Sequence, residues 1–355
     1  MALDNIRTGL TFDDVLLVPR RSSIRSRQDV SLRTQLTRNL ALDVPIVAAN
    51  MDTVCEADMA IAMATEGGIG MIHRFLPIEH EAEMVRLVRK HDRDAVVGAA
   101  VGTDGDALER GRALVEAGVD AIVLDIAHGH ADHALETLQM LARELGRDVD
   151  LIAGNVATRA GAEDLIRAGA DAVKVGVGPG GVCTTRLVAG VGVPQLTAIN
   201  DCAGVDAPII ADGGIRTSGD IAKALAAGAD TVMIGSMFAG TKESPGEFEH
   251  TARGLVKTVR GMASFEALAA RAQRHGENVD AEYFEQRAPE GVVSTVAYKG
   301  EVGKVIRKLL AGVKSAMSYC DARTIAEFSA NAEFIRVTPA GLTENHPHAM
   351  FPTAG

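Results

Sequence analysis

The chain has 355 residues, of which 47% are hydrophobic and only 3% aromatic, with no Trp and a formal net charge of −11. At a sequence pI near 5.4 and a mean hydropathy of +0.10, it is long enough for one large domain or two ordinary ones around a substantial core. The acidic surface repels polyanions and the few aromatics offer little for base stacking, so neither a nucleic acid nor an anionic membrane is expected as partner.

In chain order, short apolar runs alternate with longer amphipathic segments. The runs are VPIVAANM (44–51), GIGMIH (68–73), VVGAAVG (96–102), AIVLDIAHG (121–129), LIAGNVA (151–157), AVKVGVG (172–178), PIIADGG (208–214) and TVMIGS (231–236). About eight strands, each followed by a helix, is the number that closes a (β/α)8 TIM barrel, with a doubly wound open sheet as the competing arrangement. A weak repeat supports the barrel: EAGVDAIVLD, RAGADAVKVG and AAGADTVMIG each read as a helix ending at glycine, a short turn and a buried strand. The charged segment 79–90, EHEAEMVRLVRK, reads as the solvated face of a barrel helix with Met84, Val85 and Val88 inward.

The barrel gives function an address, because residues just past the carboxyl ends of the strands gather at one end. Those positions hold Asn50 to Thr53, His73 and Arg74, Asp125 to His130, Asn155, Asp212 to Gly214 with Arg216, and Gly235 with Ser236. DGG and GS after the last two strands suit a backbone phosphate site, a pattern that flavin mononucleotide and sugar-phosphate barrels also show. After the sixth run comes GVGPGGVCTTR (176–186), in which glycines let the backbone approach a ligand and Cys183 supplies a nucleophilic thiol. Simpler readings stand beside these. Cys183 is also a small hydrophobe in a tight turn, Asp125 and Asp212 are also helix or turn caps, and Asn155 is also a turn former. His128 and His130 lack a third ligand, and Cys55, Cys183, Cys202 and Cys320 lack CxxC or zinc spacing. Neither a zinc-type site nor a disulfide framework is indicated. The amino terminus has no apolar run of signal length and no stretch approaches a membrane span, so a reducing cytoplasmic setting is expected.

Together these residues resemble the IMP dehydrogenase and GMP reductase family. The likeness runs through LTFDDVLLVP (10–19), ANMDTV (49–54), GNVAT (154–158), the Cys183 loop, GVGVPQLTAI (190–199), IIADGGIRTSGDIAKALAAGAD (209–230), IGSMFAGTKESPGE (234–247), RGMAS (260–264), PEG (289–291), YKG (298–300) and VTPAGLTENHPH (337–348). It implies a barrel enzyme, usually a homotetramer, whose cysteine forms a thioimidate at carbon-2 of a purine nucleotide while a stacked nicotinamide exchanges hydride with it. Members often insert CBS modules after the second helix; here the helix passes to the third strand with only a few residues near 90–94, and the insert is absent. A single catalytic domain over 1–355 with a mobile flap at about 265–300 is implied.

The two reactions of the family share the thioimidate and differ in the flap. The dehydrogenase activates water with an Arg-Tyr pair, and here Glu282 precedes Tyr283 instead of arginine. The reductase protonates the leaving amine with a threonine and a flap glutamate, which maps onto Thr185 and Glu290, and RAPEG (287–291) resembles the reductase flap. HRFLPIEHEAE, AGTKESPGE and the HPH tail look more like the dehydrogenase, the glutamate of PEG occurs in both branches, and Gly181 and Val259 replace a serine and a tyrosine of the phosphate site. GMP reductase, consuming NADPH, is the expected activity, with NAD-dependent IMP dehydrogenase the alternative. The resemblance then assigns Cys183, Thr185 and Glu290 to catalysis. It assigns Met51, Asp212, Gly213, Gly214, Gly235, Ser236, Gly261, Met262, Ala263, Arg287 and Gly291 to the GMP or IMP nucleotide. Arg74, Asp125, Ile126, Ala127 and Asn155 fall to the dinucleotide, with Arg74 pairing the 2′-phosphate, and the carbonyls of Gly178, Gly180 and Cys183 to potassium. A flavin barrel and a nucleotide-binding regulator without turnover remain as readings from other classes.

Overall fold

The computed structural model describes residues 6–252, 254–274 and 288–347. The flap positions Glu282, Tyr283 and Arg287, like His348 of the tail, lie outside the described residues. Eight parallel strands close a barrel: β1 (Ile46–Ala48), β2 (Ile69–Ile72), β3 (Val97–Val101), β4 (Ala121–Asp125), β5 (Asp150–Val156), β6 (Ala172–Val175), β7 (Ile209–Asp212) and β8 (Thr231–Ile234). The seam is β8 on β1, with Val232 opposite Ile46 and Ile234 opposite Ala48. The open-sheet alternative is thereby excluded.

The strands are runs of Val, Ile, Ala and Gly because each has side chains on both faces buried, inward in the barrel and outward under the helices. The helices that cover it are α1 (Ala57–Thr65), α2 (Ile78–His91), α3 (Ala107–Ala117), α4 (Asp132–Leu145), α5 (Arg159–Arg167), α6 (Gln195–Cys202) and α7 (Ser218–Ala226). Thr158 and Thr217 accept the Gly161 and Asp220 amides and so fix where α5 and α7 begin, each cap worth about 1 kcal/mol. On α2 the expected inward residues Val85 and Val88 are fully buried and Met84 packs partly buried against the core. Residues 92–96 alone separate α2 from β3, a connection with no space for a folded insert.

The same helix carries a residue that its charged appearance conceals. Glu81 is fully buried and takes Arg110 Nη1 of α3 at 2.6 Å. Burial is the larger influence and raises the Glu81 carboxyl to about 8 against the pull of Arg110.

The sequence repeat has a structural meaning beyond helix, turn and strand. Gly118, Gly169 and Gly228 end their helices at φ of 91°, 111° and 109°, a region open to glycine. The aspartate two residues on then accepts an amide at the start of the preceding strand: Asp120 from Val97 at 2.8 Å, Asp171 from Leu151 at 2.9 Å and Asp230 from Ile209 at 2.8 Å. These bonds tie adjacent βα units together at the end opposite the functional loops.

After β8 the chain forms a three-stranded antiparallel sheet, Glu249–Thr251, Gly254–Arg260 and Val293–Ala297, with helix α8 (Phe265–Arg274) following its middle strand. This sheet delivers 261–264 and 290–292 to the carboxyl end of the barrel. The long helix α9 (Val302–Tyr319) then packs on α7.

Candidate active site

The loop after β6 is shaped by what its glycines must avoid. Gly176 sits at φ 152°, and a Cβ there would lie 2.0 Å from the Asp212 carbonyl oxygen. Gly213, at φ 94°, abuts the same loop, since its Cβ would lie 2.9 Å from Pro179 Cγ. Arg186 donates from Nη2 to the Val193 carbonyl at 2.6 Å and from Nε to the Val177 carbonyl at 3.3 Å. Its guanidinium therefore pins the loop on itself; burial, the larger influence, pushes its pKa down, and the nearby Cys183 sulfur works against that. The short helical turn Thr185–Val188 closes the segment.

Cys183 stands half-buried at the head of a hydrogen-bonded chain. Its Sγ is 3.2 Å from Thr185 Oγ1, and Thr185 Oγ1 donates to Glu290 Oε2 at 2.7 Å. A hydroxyl has one proton to give. With Thr185 donating to the carboxylate, the thiol must donate to Thr185, and the chain runs S–H to O–H to carboxylate. Moving both protons along it leaves a thiolate and a carboxylic acid.

Backbone lacing holds the three groups in register. The Thr184 amide donates to the Glu290 carbonyl at 2.9 Å, the Glu290 amide to the Ala263 carbonyl at 3.0 Å, and the Val292 amide to the Val182 carbonyl at 3.0 Å. Cys183 and Gly291 form an isolated antiparallel bridge. Where Gly291 passes the 261–264 turn, an added Cβ would lie 3.0 Å from the Ser264 nitrogen. Cysteine loop, RGMAS turn and PEG segment are thus one interlocked layer.

A second cluster lies deeper in the barrel mouth. Lys174, in the middle of β6, donates to Asp212 Oδ2 at 2.7 Å and to the Asn155 side-chain oxygen. Asn155 Nδ2 donates to the same Asp212 oxygen at 2.9 Å and to the Gly176 carbonyl at 2.7 Å. Asp125 approaches Lys174 at 4.0 Å and Arg74 at 3.5 Å. Burial is the largest influence on Lys174 and pushes its ammonium down, but Asp212 and Asp125 together outweigh it, and the net shift is upward. Lys174 is held as a cation between two acids.

A cleft of about 340 Å³ joins the two clusters. Of the residues singled out from sequence, it is lined by Asn50, Met51, Arg74, Asp125, Ile126, Ala127, Asn155, Gly180, Cys183, Thr185, Asp212, Gly261, Met262, Ala263 and Glu290. Gly178, Gly213, Gly214, Gly235, Ser236 and Gly291 lie in the adjoining loops. There Gly181 faces Ser236, whose Oγ would be 3.2 Å from a Cβ at that position, and Val259 is buried. Asp125 ends β4 seven positions before α4 begins and pairs with cations instead of capping. His130 is spent on Asp164 at 2.7 Å. Arg216 pairs with Asp13 at 2.6 Å outside the cleft.

Sequence reasoning missed Lys174, Phe75 and Arg271, all of which line the cleft. For Lys174 a signal existed: it is the lone charge inside the otherwise apolar run AVKVGVG. Burying a lysine there is costly unless acids await it.

Residues 9–348 match the family described as IMP dehydrogenase / GMP reductase domain. Among curated relatives, an inosine-5'-monophosphate dehydrogenase from Nitrosopumilus maritimus is 38% identical, covering 96% of this chain and 98% of its own length. A GMP reductase from Leishmania donovani is 36% identical, covering 98% of each. Among solved structures, GMP reductase from Trypanosoma brucei in complex with guanosine 5'-monophosphate superimposes with a TM-score of 0.91 at 36% identity, covering 98% of this chain and 99% of that one.

Proposed function

The chain belongs to the IMP dehydrogenase / GMP reductase family, and we propose that within it the protein is a GMP reductase, converting GMP, NADPH and two protons into IMP, ammonium and NADP. The observation that carries this reading is the unbroken chain from Cys183 Sγ through Thr185 to Glu290, at 3.2 and 2.7 Å. In the forward direction the Cys183 thiolate forms a bond to carbon-2 of GMP, having passed its proton through Thr185 to Glu290. The same proton returns through Thr185 to the exocyclic amine, the carbon–nitrogen bond breaks, and ammonia leaves behind a thioimidate on Cys183. Bound NADPH supplies the hydride that reduces carbon-2. The carbon–sulfur bond then breaks, Cys183 regains its electron pair and IMP departs.

The relay suits amine expulsion because a poor leaving group needs a proton as its bond breaks. Activating water in the dehydrogenase manner calls for an arginine where Glu282 stands. The nucleotide would lie against Met51, Met262 and Ala263, with ribose on Asp212 and phosphate on the amides of Gly213, Gly214, Gly235 and Ser236. Gly261, Arg287 and Gly291 would complete the base side. Asp125, Ile126, Ala127, Asn155 and Arg74 fit a nicotinamide dinucleotide by their chemistry, a carboxylate and an amide for hydroxyls and carboxamide and a guanidinium for phosphate.

The carbonyls of Gly178, Gly180 and Cys183 would take a potassium ion, Gly180 having a second lone pair beyond the one that accepts the Cys183 amide at 3.1 Å. Leu187, Val188 and Val191, exposed directly after the cysteine loop, suit burial against a second subunit of a homotetramer. The deciding experiment is absorbance at 340 nm with GMP plus NADPH beside IMP plus NAD. Faster loss of absorbance in the first than gain in the second is expected; the reverse, with XMP as product, makes the protein an IMP dehydrogenase.

A further inference from the structure

On the outer side of the cleft two guanidiniums converge on a single carboxylate oxygen. Arg74, just past β2, places Nη1 3.2 Å from Asp104 Oδ2, and Arg271 of α8 places Nη2 2.6 Å from the same atom. Between them lies the Phe75 ring, whose centroid is 5.3 Å from the Arg74 guanidinium carbon and 5.6 Å from that of Arg271. The two arginines come from different parts of the chain, one from the barrel and one from the flap side, and both line the cleft. Asp104 itself, on the loop after β3, is 45% exposed.

This is the geometry by which arginines grip a phosphate, with planar forks aimed at one tetrahedral anion. A carboxylate fills it poorly. Two cations share one oxygen, and Arg74 Nε, buried, makes no hydrogen bond and has only Asp125 at 3.5 Å. Beside the fork Gly102 keeps space that a side chain would take, since a Cβ there would fall 2.8 Å from Arg74 Nη1.

We propose that Asp104 is an internal stand-in for a phosphate of the dinucleotide, gripped by Arg74 and Arg271 when the cofactor is away and displaced when it binds. Asp104 is then a specificity-determining residue that weakens cofactor binding by competition, and Arg271 couples cofactor phosphate to the position of α8. The inference rests on the dinucleotide lying on this side of the cleft. It leaves two sources for the phosphate, the ribose 2′-phosphate and the diphosphate bridge, which the two reduced cofactors tell apart.

The test is a titration of NADPH and, separately, NADH by cofactor fluorescence with the full chain, its Asp104→Asn and Arg271→Met variants and the double variant. An exposed charge pair is worth up to about 1 kcal/mol, so Asp104→Asn is expected to tighten cofactor binding by about 3- to 5-fold. Arg271→Met should weaken it by a similar factor and abolish the gain in the double variant. Tightening confined to NADPH assigns the 2′-phosphate; tightening of both assigns the diphosphate. If Asp104 only tethers α8 to the barrel, Asp104→Asn weakens or leaves unchanged the binding of both, and the proposal falls while turnover of GMP or IMP by the unaltered chain keeps the functional reading intact. An unaltered chain that binds neither cofactor overturns both.

Discussion

Removal of the Thr185 hydroxyl tests the catalytic reading most directly. In Thr185→Val the side chain keeps its shape but loses the atom that lies 3.2 Å from Cys183 Sγ and 2.7 Å from Glu290 Oε2. Among the described residues Thr185 Oγ1 is the atom that hydrogen-bonds both the thiol and the carboxylate, so its loss breaks both legs of the chain at once. General acid catalysis is worth about 10² to 10⁴, so the GMP reaction should slow by that factor, about 3 to 5 kcal/mol of barrier. Glu290→Gln should cost about the same, since the amide cannot pass a proton in the required sense. The double variant should be little worse than either, as groups acting in one relay lose their function together. The assay is single-turnover absorbance at 340 nm with GMP and NADPH, with ammonia measured in parallel. Hydride transfer from NADPH to the thioimidate, once that intermediate has formed, should suffer far less, and Thr185→Ser should restore much of the rate. Retention of more than about a tenth of the rate in Thr185→Val, or a double variant whose loss is the product of the singles, refutes the relay.

Cys183→Ala removes the covalent step outright and should abolish turnover by several orders of magnitude while leaving GMP binding measurable by calorimetry; turnover above about a tenth of the unaltered rate would assign the nucleophile elsewhere. In the buried pair between α2 and α3, Arg110→Met leaves the buried Glu81 carboxyl without its hydrogen-bond partner and should cost about 1 to 3 kcal/mol in urea unfolding. The double change Glu81→Leu with Arg110→Met should cost much less, and equal losses would show that the arginine acts through packing alone. Asp230 gives a pH signature: burial pushes its carboxyl up to about 6, so the folded state binds the extra proton and stability falls as pH rises from about 4 through 6. At about 1.4 kcal/mol per pH unit, Asp230→Asn should gain about 3 kcal/mol on the unaltered chain between pH 4 and 7, and an unchanged difference would contradict the sign.

Much of the architecture was legible because a parallel barrel writes itself locally. Each strand is buried on both faces and therefore reads as a short apolar run, and each helix reads as an amphipathic stretch between. The cysteine loop was legible for a related reason, since only glycine tolerates the close approaches around Gly176 and Gly213, and their density marks the spot. Thr185 and Glu290 were named through likeness to a family, and the structure brings them within hydrogen-bonding distance although they are 105 positions apart in sequence. What the sequence could not contain is how the charges are partnered. Glu81 reads as a surface residue of a charged helix, and only the packing of α2 on α3 buries it against Arg110. Lys174 reads as an oddity in a strand until β5 and β7 bring Asn155 and Asp212 to it. Apolar pattern is a property of neighbours along the chain, whereas the fate of a charge depends on which distant group the closed barrel sets opposite it.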